Sequence, residues 1–598
     1  MFKLLHQLNS LFDRRERWQL AILTVALILR AAIEMVGVSS IAPFMSVVAD
    51  PSMIEKSELL KWGYDYFGFT SDRSFLTAIG VSVIVLLVIS NSASAITQYG
   101  LLRFSYATQN RLGVRLLTGY LGQPYSYFTE TNSAALSNSI LTEVQQVIEG
   151  VLIPFLTIIS RGMVALAIVG LLLATDIFLA GIVATVLGGA YGGLYTLIRN
   201  RQKRYGQQRL AASEDRFKIT NEAFGAIKDV KVLGREESFL TQFKPVSWLA
   251  AKASSNYAII AHLPRYLFEG IAFGGIICIV LYYLRAGQGI TTILPTISLF
   301  AFAGYRLMPE LQQLFRGISR IRFSSASLDK LVGAMKLFQT QPVVLGDDQV
   351  AFAKSIEFSE TTFSYPGTST PAINRLSLKI QRNQTVGLVG ASGSGKTTLV
   401  DLLLGLYQPE SGNICIDNIP LGHNNLKSWR QSIGYVPQHI FLTDDTVTRN
   451  IAFGVPLKEI DEAKVKDAAS RAQLHEFIET LSDGYDTIVG ERGVRLSGGQ
   501  RQRIGIARAL YHEPDVLVLD EATSALDGAT EGVVMDAIKE LAGQKTIILI
   551  AHRLSTVEEC DCIYLMQNGQ KEAQGTFEQL IESNPTFRAM AKLSIGEV

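Results

Sequence analysis

Apolar and polar positions divide the chain into two unlike halves. Residues 18 to about 320 are rich in Leu, Ile, Val, Ala and Gly with widely spaced charges, and the remainder alternates like a soluble protein. A bilayer crossing takes roughly 20 apolar residues. Six runs reach that length, at about 18–48, 75–98, 151–175, 177–198, 256–284 and 290–315. Several are longer or are interrupted by Pro and Gly, which predicts helices that tilt or run on beyond the lipid. The first run is far longer than the apolar core of a signal peptide, so a retained membrane helix is expected there.

The connections sharpen this picture. Arginines and lysines cluster before the first run (Arg14, Arg15, Arg17), after the second (Arg103, Arg111, Arg115) and after the fourth (Arg199, Arg201, Lys203, Arg204, Arg209). The positive-inside rule puts those flanks in the cytoplasm. The Asp50–Ser74 loop suits the outside, and its Ile54–Phe67 part is predicted as a short amphipathic helix. Connections 99–150 and 199–255 are too long for simple loops, and runs such as DRFKITNEAFGAIKDVKVLGREE keep helical spacing, so helical stalks are expected. Arg30 and Glu34, and Arg265 and Glu269, stand four apart on one helical face and are expected to pair. Arginines in or near the spans, Arg161, Arg265 and Arg306, suit either a cavity for an anionic substrate or snorkelling and ion pairing.

From about residue 340 strand-like alternation takes over, and NQTVGLVGASGSGKTTLVDLLLGL reads as strand, glycine loop and helix. Gly390, Gly395, Lys396 and Thr397 match the phosphate-loop pattern in that setting, within a loop that also holds Ser392, Gly393, Ser394 and Thr398. Backbone N–H groups and the helix start bind phosphate, Lys396 reaches its terminal oxygens, and Thr397 is a ligand for Mg²⁺. The apolar strand DVLVLDEA places Asp520 to hold Mg²⁺ and Glu521 to polarise a water. Gln438, after Pro437, is able to touch both metal and water, and His552, beyond another strand, to donate to a γ-phosphate. Tyr365, in FSYPG, is either a platform for adenine or a packing residue.

Composition adds exclusions. With 55 basic and 54 acidic residues the formal charge is +1, which gives no electrostatic case for a nucleic-acid partner. Six spans of such apolarity also exclude a soluble repair or translation ATPase. Four cysteines lack zinc-site spacing, and Cys560 and Cys562 are expected on opposite faces of a strand in a reducing compartment.

Taken together, Tyr365, GASGSGKTT, Gln438, LSGGQRQR (Leu496–Arg503), VLVLDE, the SALD run ending at Asp527, and His552 resemble the ATP-binding cassette of ABC transporters. The expected architecture is a polytopic α-helical membrane domain with six transmembrane helices, followed by an α/β P-loop cassette. Its boundaries are 1–335 for the membrane domain and stalks, 336–349 for a linker, 350–590 for the cassette and 591–598 for a tail. The resemblance implies an ATPase coupled to transport and a homodimer with ATP and Mg²⁺ at two composite sites. In such sites Ser497, Gly498, Gly499 and Gln500 of one chain close over the nucleotide held by the other. The membrane half, including AHLPRYLFEGIAFG and LFAFAGYRLMPELQQL, resembles flippases of lipid-linked oligosaccharides in bacterial N-glycosylation. That resemblance implies an inner-membrane location and a polyprenyl-diphosphate glycan as cargo, contacted by Arg265 and Arg306. It also calls for an arginine near Ser90, where this chain reads VISNSASA. Export of another amphipathic cargo (drug, peptide or lipopolysaccharide precursor) and a non-transport membrane ATPase stand as alternatives.

Overall fold

Six long helices carry the apolar half: α1 (Arg14–Ser39), α2 (Asp72–Leu121), α3 (Ile153–Thr175), α4 (Ile177–Gly225), α5 (Glu236–Arg285) and α6 (Ile290–Thr340). They are seen in a computed structural model that describes residues 2–595 apart from 41–43, 45–46, 49–50, 176, 286–289, 341–345, 523–527 and 552. The chain separates into two units, residues 1–123 with 127–342, and residues 124–126 with 343–598.

In the first unit, four stretches among the described residues are long and apolar enough to cross a bilayer: Arg14–Gly37, Asp72–Leu121, Ser133–Gly170 and Ala180–Gly225. The fifth and sixth predicted spans fall in α5 and α6, where part of the side chains lies outside the description. Large apolar residues such as Ile22, Leu29, Val81, Ile84 and Val88 stay exposed, as helices facing lipid require. The helical extensions are continuous with the spans, since α2 runs unbroken for 50 residues and α4 for 49. A short helix, Ile227–Val232, then bridges to α5, with Gly234 at φ +60° completing the turn. Two π-helical turns, Ser139–Glu143 and Ile148–Leu152, precede α3.

Glycines bring the helices unusually close to α6. A Cβ on Gly206 of α4 would lie 1.8 Å from the Phe323 carbonyl oxygen, and one on Gly150 2.0 Å from Ser324 Oγ. On α2, a Cβ on Gly119 would lie 2.3 Å from the Phe338 ring. Small residues at such points let helices in a membrane pack backbone to backbone. Between α1 and α2 the predicted amphipathic helix is present as two pieces, Met53–Lys56 and Glu58–Tyr66. Ile54 packs with Val47 and Phe75, and Trp62, Tyr66 and Phe67 stay exposed.

The second unit is a two-sheet α/β domain. A six-stranded sheet runs in the order β10-β9-β3-β8-β7-β6, from β3 (Thr385–Val389), β6 (Ile433–Val436), β7 (Val516–Asp520), β8 (Thr546–Ile550), β9 (Cys562–Gln567) and β10 (Gln570–Gly575). Its pairs are parallel except β9 with β10. Every residue of β3, β7 and β8 is buried, as expected of a parallel sheet covered on both faces. β1 (Ser355–Phe363), β2 (Ile373–Gln381), β4 (Ser411–Ile416) and β5 (Ile419–Pro420) form an antiparallel sheet in the order β2-β1-β4-β5. The parallel sheet thus brings the carboxyl ends of β3 and β7 to one edge, where the phosphate loop begins.

The cysteine expectation needs correction. Cys562 opens β9, but Cys560 lies before it, its N–H bonded to Val557 O at 3.1 Å in a turn. The two cysteines therefore do not share a strand, and positions two apart in one strand would in any case lie on the same face and not on opposite ones. Burial pushes the Cys560 thiol up to about 12, which fits a packing role.

Candidate nucleotide site and membrane charge network

β3 delivers the chain into Gly390–Gly395, and helix α7 (Lys396–Leu403) starts directly behind it. Gly393 and Gly395 hold φ +79° and +102°, conformations that a side chain would strain. A Cβ on Gly395 would also meet Ala372 O at 2.8 Å, whereas one on Gly393 would point into open space. The loop is braced from behind by the β9–β10 turn, where Asn568 and Gly569 hold φ +50° and +73°. Gly569 N–H donates to Ser394 O at 3.0 Å, and Gly569 O accepts from Asn374 N–H at 2.9 Å. The Asn-Gly dipeptide was the sequence signal for this turn; its role as a support for the phosphate loop was not visible there.

Lys396 is buried and folds onto its own loop, donating from Nζ to Gly390 O at 2.7 Å and Ala391 O at 3.0 Å. Burial lowers its pKa, and the carboxylates of Glu521 and Asp520 pull it back up. Ser394 Oγ is buried without a hydrogen-bond partner, and Thr397 is exposed at the helix start. An orphaned hydroxyl, a lysine satisfied only by loop carbonyls and open space at Gly393 are what a bound triphosphate would complete, so the residues fit that ligand.

Asp520 ends β7 and is buried, and Glu521 follows at φ +48° with its N–H on Ile550 O at 3.1 Å. Gln438 Nε2 donates to Glu521 Oε2 at 2.6 Å, which brings two predicted residues together. Among the described residues no three His, Cys, Asp or Glu side chains form a metal cluster by themselves. A cation held by Thr397, Gln438 and Asp520 would therefore need phosphate oxygens as well, the usual habit of Mg²⁺.

One acidic neighbour escaped the sequence reading. Asp401 of α7 is half-buried, and burial, with Asp520 nearby, raises its pKa from 3.8 to about 6. A carboxyl raised in the folded state costs nothing below about pH 4, and its ionisation destabilises the fold as pH rises through 6. Asp401→Asn should therefore stabilise the nucleotide-free protein at pH 7.5 by about 1 kcal/mol, allowing for solvent screening. The gain should fade towards pH 4, which thermal unfolding of the purified chain at several pH values would check.

Tyr365 is engaged in packing: its hydroxyl and Thr398 Oγ1 are 2.9 Å apart, and its ring stands edge-on to Phe363 and Tyr407. The signature loop opens helix α8 (Gly498–Leu510) with a reciprocal cap. Ser497 Oγ accepts from Gln500 N–H at 3.2 Å, and Gln500 Oε1 accepts from Ser497 N–H at 2.8 Å. Gly498 and Gly499 form the first turn, with Ser497 exposed ahead of them. Among the described residues no hydrogen bond joins this cap to Lys396. Asp527 and His552 lie outside the described residues.

In the membrane unit the two i,i+4 pairs form as expected, Arg30–Glu34 at 3.3 Å and Arg265–Glu269 at 2.7 Å. Arg265 is exposed on α5, while Arg306 of α6 pairs with Glu34 of α1. Arg161 pairs with Glu310 at 3.0 Å. Arg30 also reaches Ser94 Oγ at 3.0 Å and Ser160 Oγ at 3.3 Å. Beside this network lies a cavity of about 430 Å³ lined by Arg30, Arg161, Gln98 and Gln313 among others.

Triphosphate chemistry joined to a bundle of membrane-spanning helices is the mark of a transport ATPase. Residues 373–524 match the model of the ABC transporter domain and residues 20–309 that of the ABC transporter transmembrane region. Among curated relatives, the ATP-dependent lipid A-core flippase of Chromobacterium violaceum is 30% identical over 574 residues, covering 94% of each chain. The heterocyst differentiation ATP-binding protein HepA of Nostoc is 31% identical, over 76% of this chain and 74% of that one. The solved structure of an ATP-bound bacterial Atm1-family ABC exporter superposes with a TM-score of 0.78 at 21% identity, covering 98% of this chain and 100% of that one. The chain belongs to the ABC transporter family, as an exporter-type half-transporter: a multi-pass membrane protein that binds ATP and couples its hydrolysis to transport.

Proposed function

We propose that two copies of this chain form a homodimer in a bacterial inner membrane, with cassettes and N-termini in the cytoplasm, that flips an anionic glycolipid by alternating access. The observation that carries the cargo class is the excess of arginine in one charge network, where, among the described residues, Arg30, Arg161 and Arg306 share Glu34 and Glu310. A net positive charge between membrane helices is costly unless it serves an anion. A polyprenyl-diphosphate glycan fits, with Arg265 and Arg306 as headgroup contacts. A lipid A-core precursor fits by the same chemistry, and the names of the relatives favour it.

At the cassettes, Lys396 and the loop amides bind the triphosphate, and Tyr365, released from its packing, stacks on the adenine. Thr397, Gln438 and Asp520 would hold Mg²⁺, which would supply charge neutralisation on the phosphates. Glu521 takes the proton of the attacking water, and His552 donates to the γ-phosphate. Ser497, Gly498 and Gly499 of the second copy complete the enclosure, their helix start already ordered by the Gln500 cap.

Reconstitution of the full chain into liposomes tests the reading. ATP-dependent translocation of a polyprenyl-diphosphate oligosaccharide or of lipid A-core is expected, and comparing the two names the cargo. Flux confined to uncharged drugs or peptides overturns it. Mixed dimers of a Lys396→Ala copy with a Gly498→Val copy test the composite sites. Both lesions then fall in one site, so the mixed dimer should retain one working site where each parent homodimer has none.

A further inference from the structure

Three arginines and two glutamates from α1, α3 and α6 meet in the membrane unit, and their hydrogen bonds are unevenly shared. Arg30 is held on every side: Nε by Ser94, one terminal nitrogen by Ser160 and the other by Glu34 Oε2. Glu310 gives one oxygen to Arg161 and leaves Oε2 buried without a partner. Arg306 is the loosest member. One terminal nitrogen donates to Glu34 Oε1, its Nε is buried without a partner, and 38% of its side chain is exposed.

Glu34 therefore gives Arg306 a single carboxylate oxygen, whereas a phosphate has several to offer the same guanidinium. It is also able to let Arg306 go at small cost, because Arg30 remains on its other oxygen and the carboxylate is never left unpaired. We infer that Glu34 is a built-in competitor for the cargo's anionic headgroup, a specificity-determining residue that holds Arg306 until a phosphate-bearing lipid displaces it. An uncharged amphiphile brings nothing to replace the carboxylate, so Arg306 stays on α1 and the cargo is refused. A headgroup with several oxygens fills Nε as well as the terminal nitrogens and wins the exchange. This rests on the anionic-lipid reading above and adds the residue that sets its threshold.

The test uses the dimer of the full chain in lipid nanodiscs, with a labelled polyprenyl diphosphate, labelled lipid A and the matching uncharged polyprenol as probes. Lipid retention and half-maximal ATPase stimulation are both read. Glu34→Gln should lower the half-saturating concentration of the diphosphate by about 10-fold and leave that of the polyprenol unchanged. The charge-balanced Arg30→Gln/Glu34→Gln double variant, which avoids an uncompensated buried Arg30, should show the same gain. Adding Arg306→Gln should abolish it. No tightening in either the single or the double variant, or equal tightening for the diphosphate and the polyprenol, overturns the inference. If the wild type retains neither the diphosphate nor lipid A, the anionic-lipid reading falls and takes the inference with it; wild-type retention without a gain sinks the inference alone.

Discussion

Replacing Glu521 by glutamine should reduce ATP turnover by about 10³-fold while leaving nucleotide binding intact. The backbone at Glu521 is fixed by its bond to Ile550 O and by a left-handed φ of +48°, so the side chain leaves β7 in one direction. Gln438 Nε2 then pins the carboxylate at 2.6 Å. Glutamine has the same shape and can still accept that bond, but it cannot take a proton from water. Binding by Lys396 and the loop amides is untouched, so the variant should trap ATP between the cassettes. Single-turnover hydrolysis beside equilibrium ATP binding separates the two effects. Turnover within about 10-fold of wild type would remove Glu521 from the role of general base.

A second large effect is expected far from the nucleotide. Gly206→Ala places a methyl 1.8 Å from the backbone oxygen of Phe323, and 2.8 Å from its carbonyl carbon. A backbone carbonyl inside α6 cannot swing aside as a flexible side chain would, so α4 and α6 must move apart along their contact. Overpacking of this kind costs about 3 kcal/mol, and the apparent melting temperature of the purified chain should fall by several degrees or more. Gly113→Ala is the control, since nothing lies within 4 Å of its added methyl. There the gain in helix propensity should leave stability equal or slightly higher. Equal behaviour of the two variants would mean that the close approach at Gly206 contributes nothing to holding the helices together.

What was legible in the sequence was local. The phosphate loop, the Asp520–Glu521 strand end and the helical spacing of Arg30 with Glu34 and Arg265 with Glu269 depend on near neighbours, and periodicity or motif spacing finds them. The partners of Arg306 and Arg161 were not legible. Glu34 lies 272 positions from Arg306, and Glu310 lies 149 from Arg161, so only the packing of α1, α3 and α6 reveals the pairing. Some local signals were present but answered a different question. Ser497 and Gln500 stand three apart as a capping box, yet the run's resemblance points only to closure over a nucleotide and not to the cap. The turn at Asn568–Gly569 and the raised carboxyl of Asp401 required the sheet order and the burial of α7 before they acquired meaning.

The 50 residues of α2 and 49 of α4 have a mechanical consequence. A helix of that length is about 75 Å long, and it is stiff because each turn is hydrogen-bonded to the next. Tilting such a rod by about 5° about one end carries the other through about 6 Å, roughly the pitch of one helical turn. Gly206 meets Phe323 past the middle of α4, and Gly119 meets Phe338 near the end of α2, with no room for a side chain at either point. Contacts this close tie α4 and α2 to α6 at two points, so a rearrangement of the bundle has either to carry α6 along or to break them.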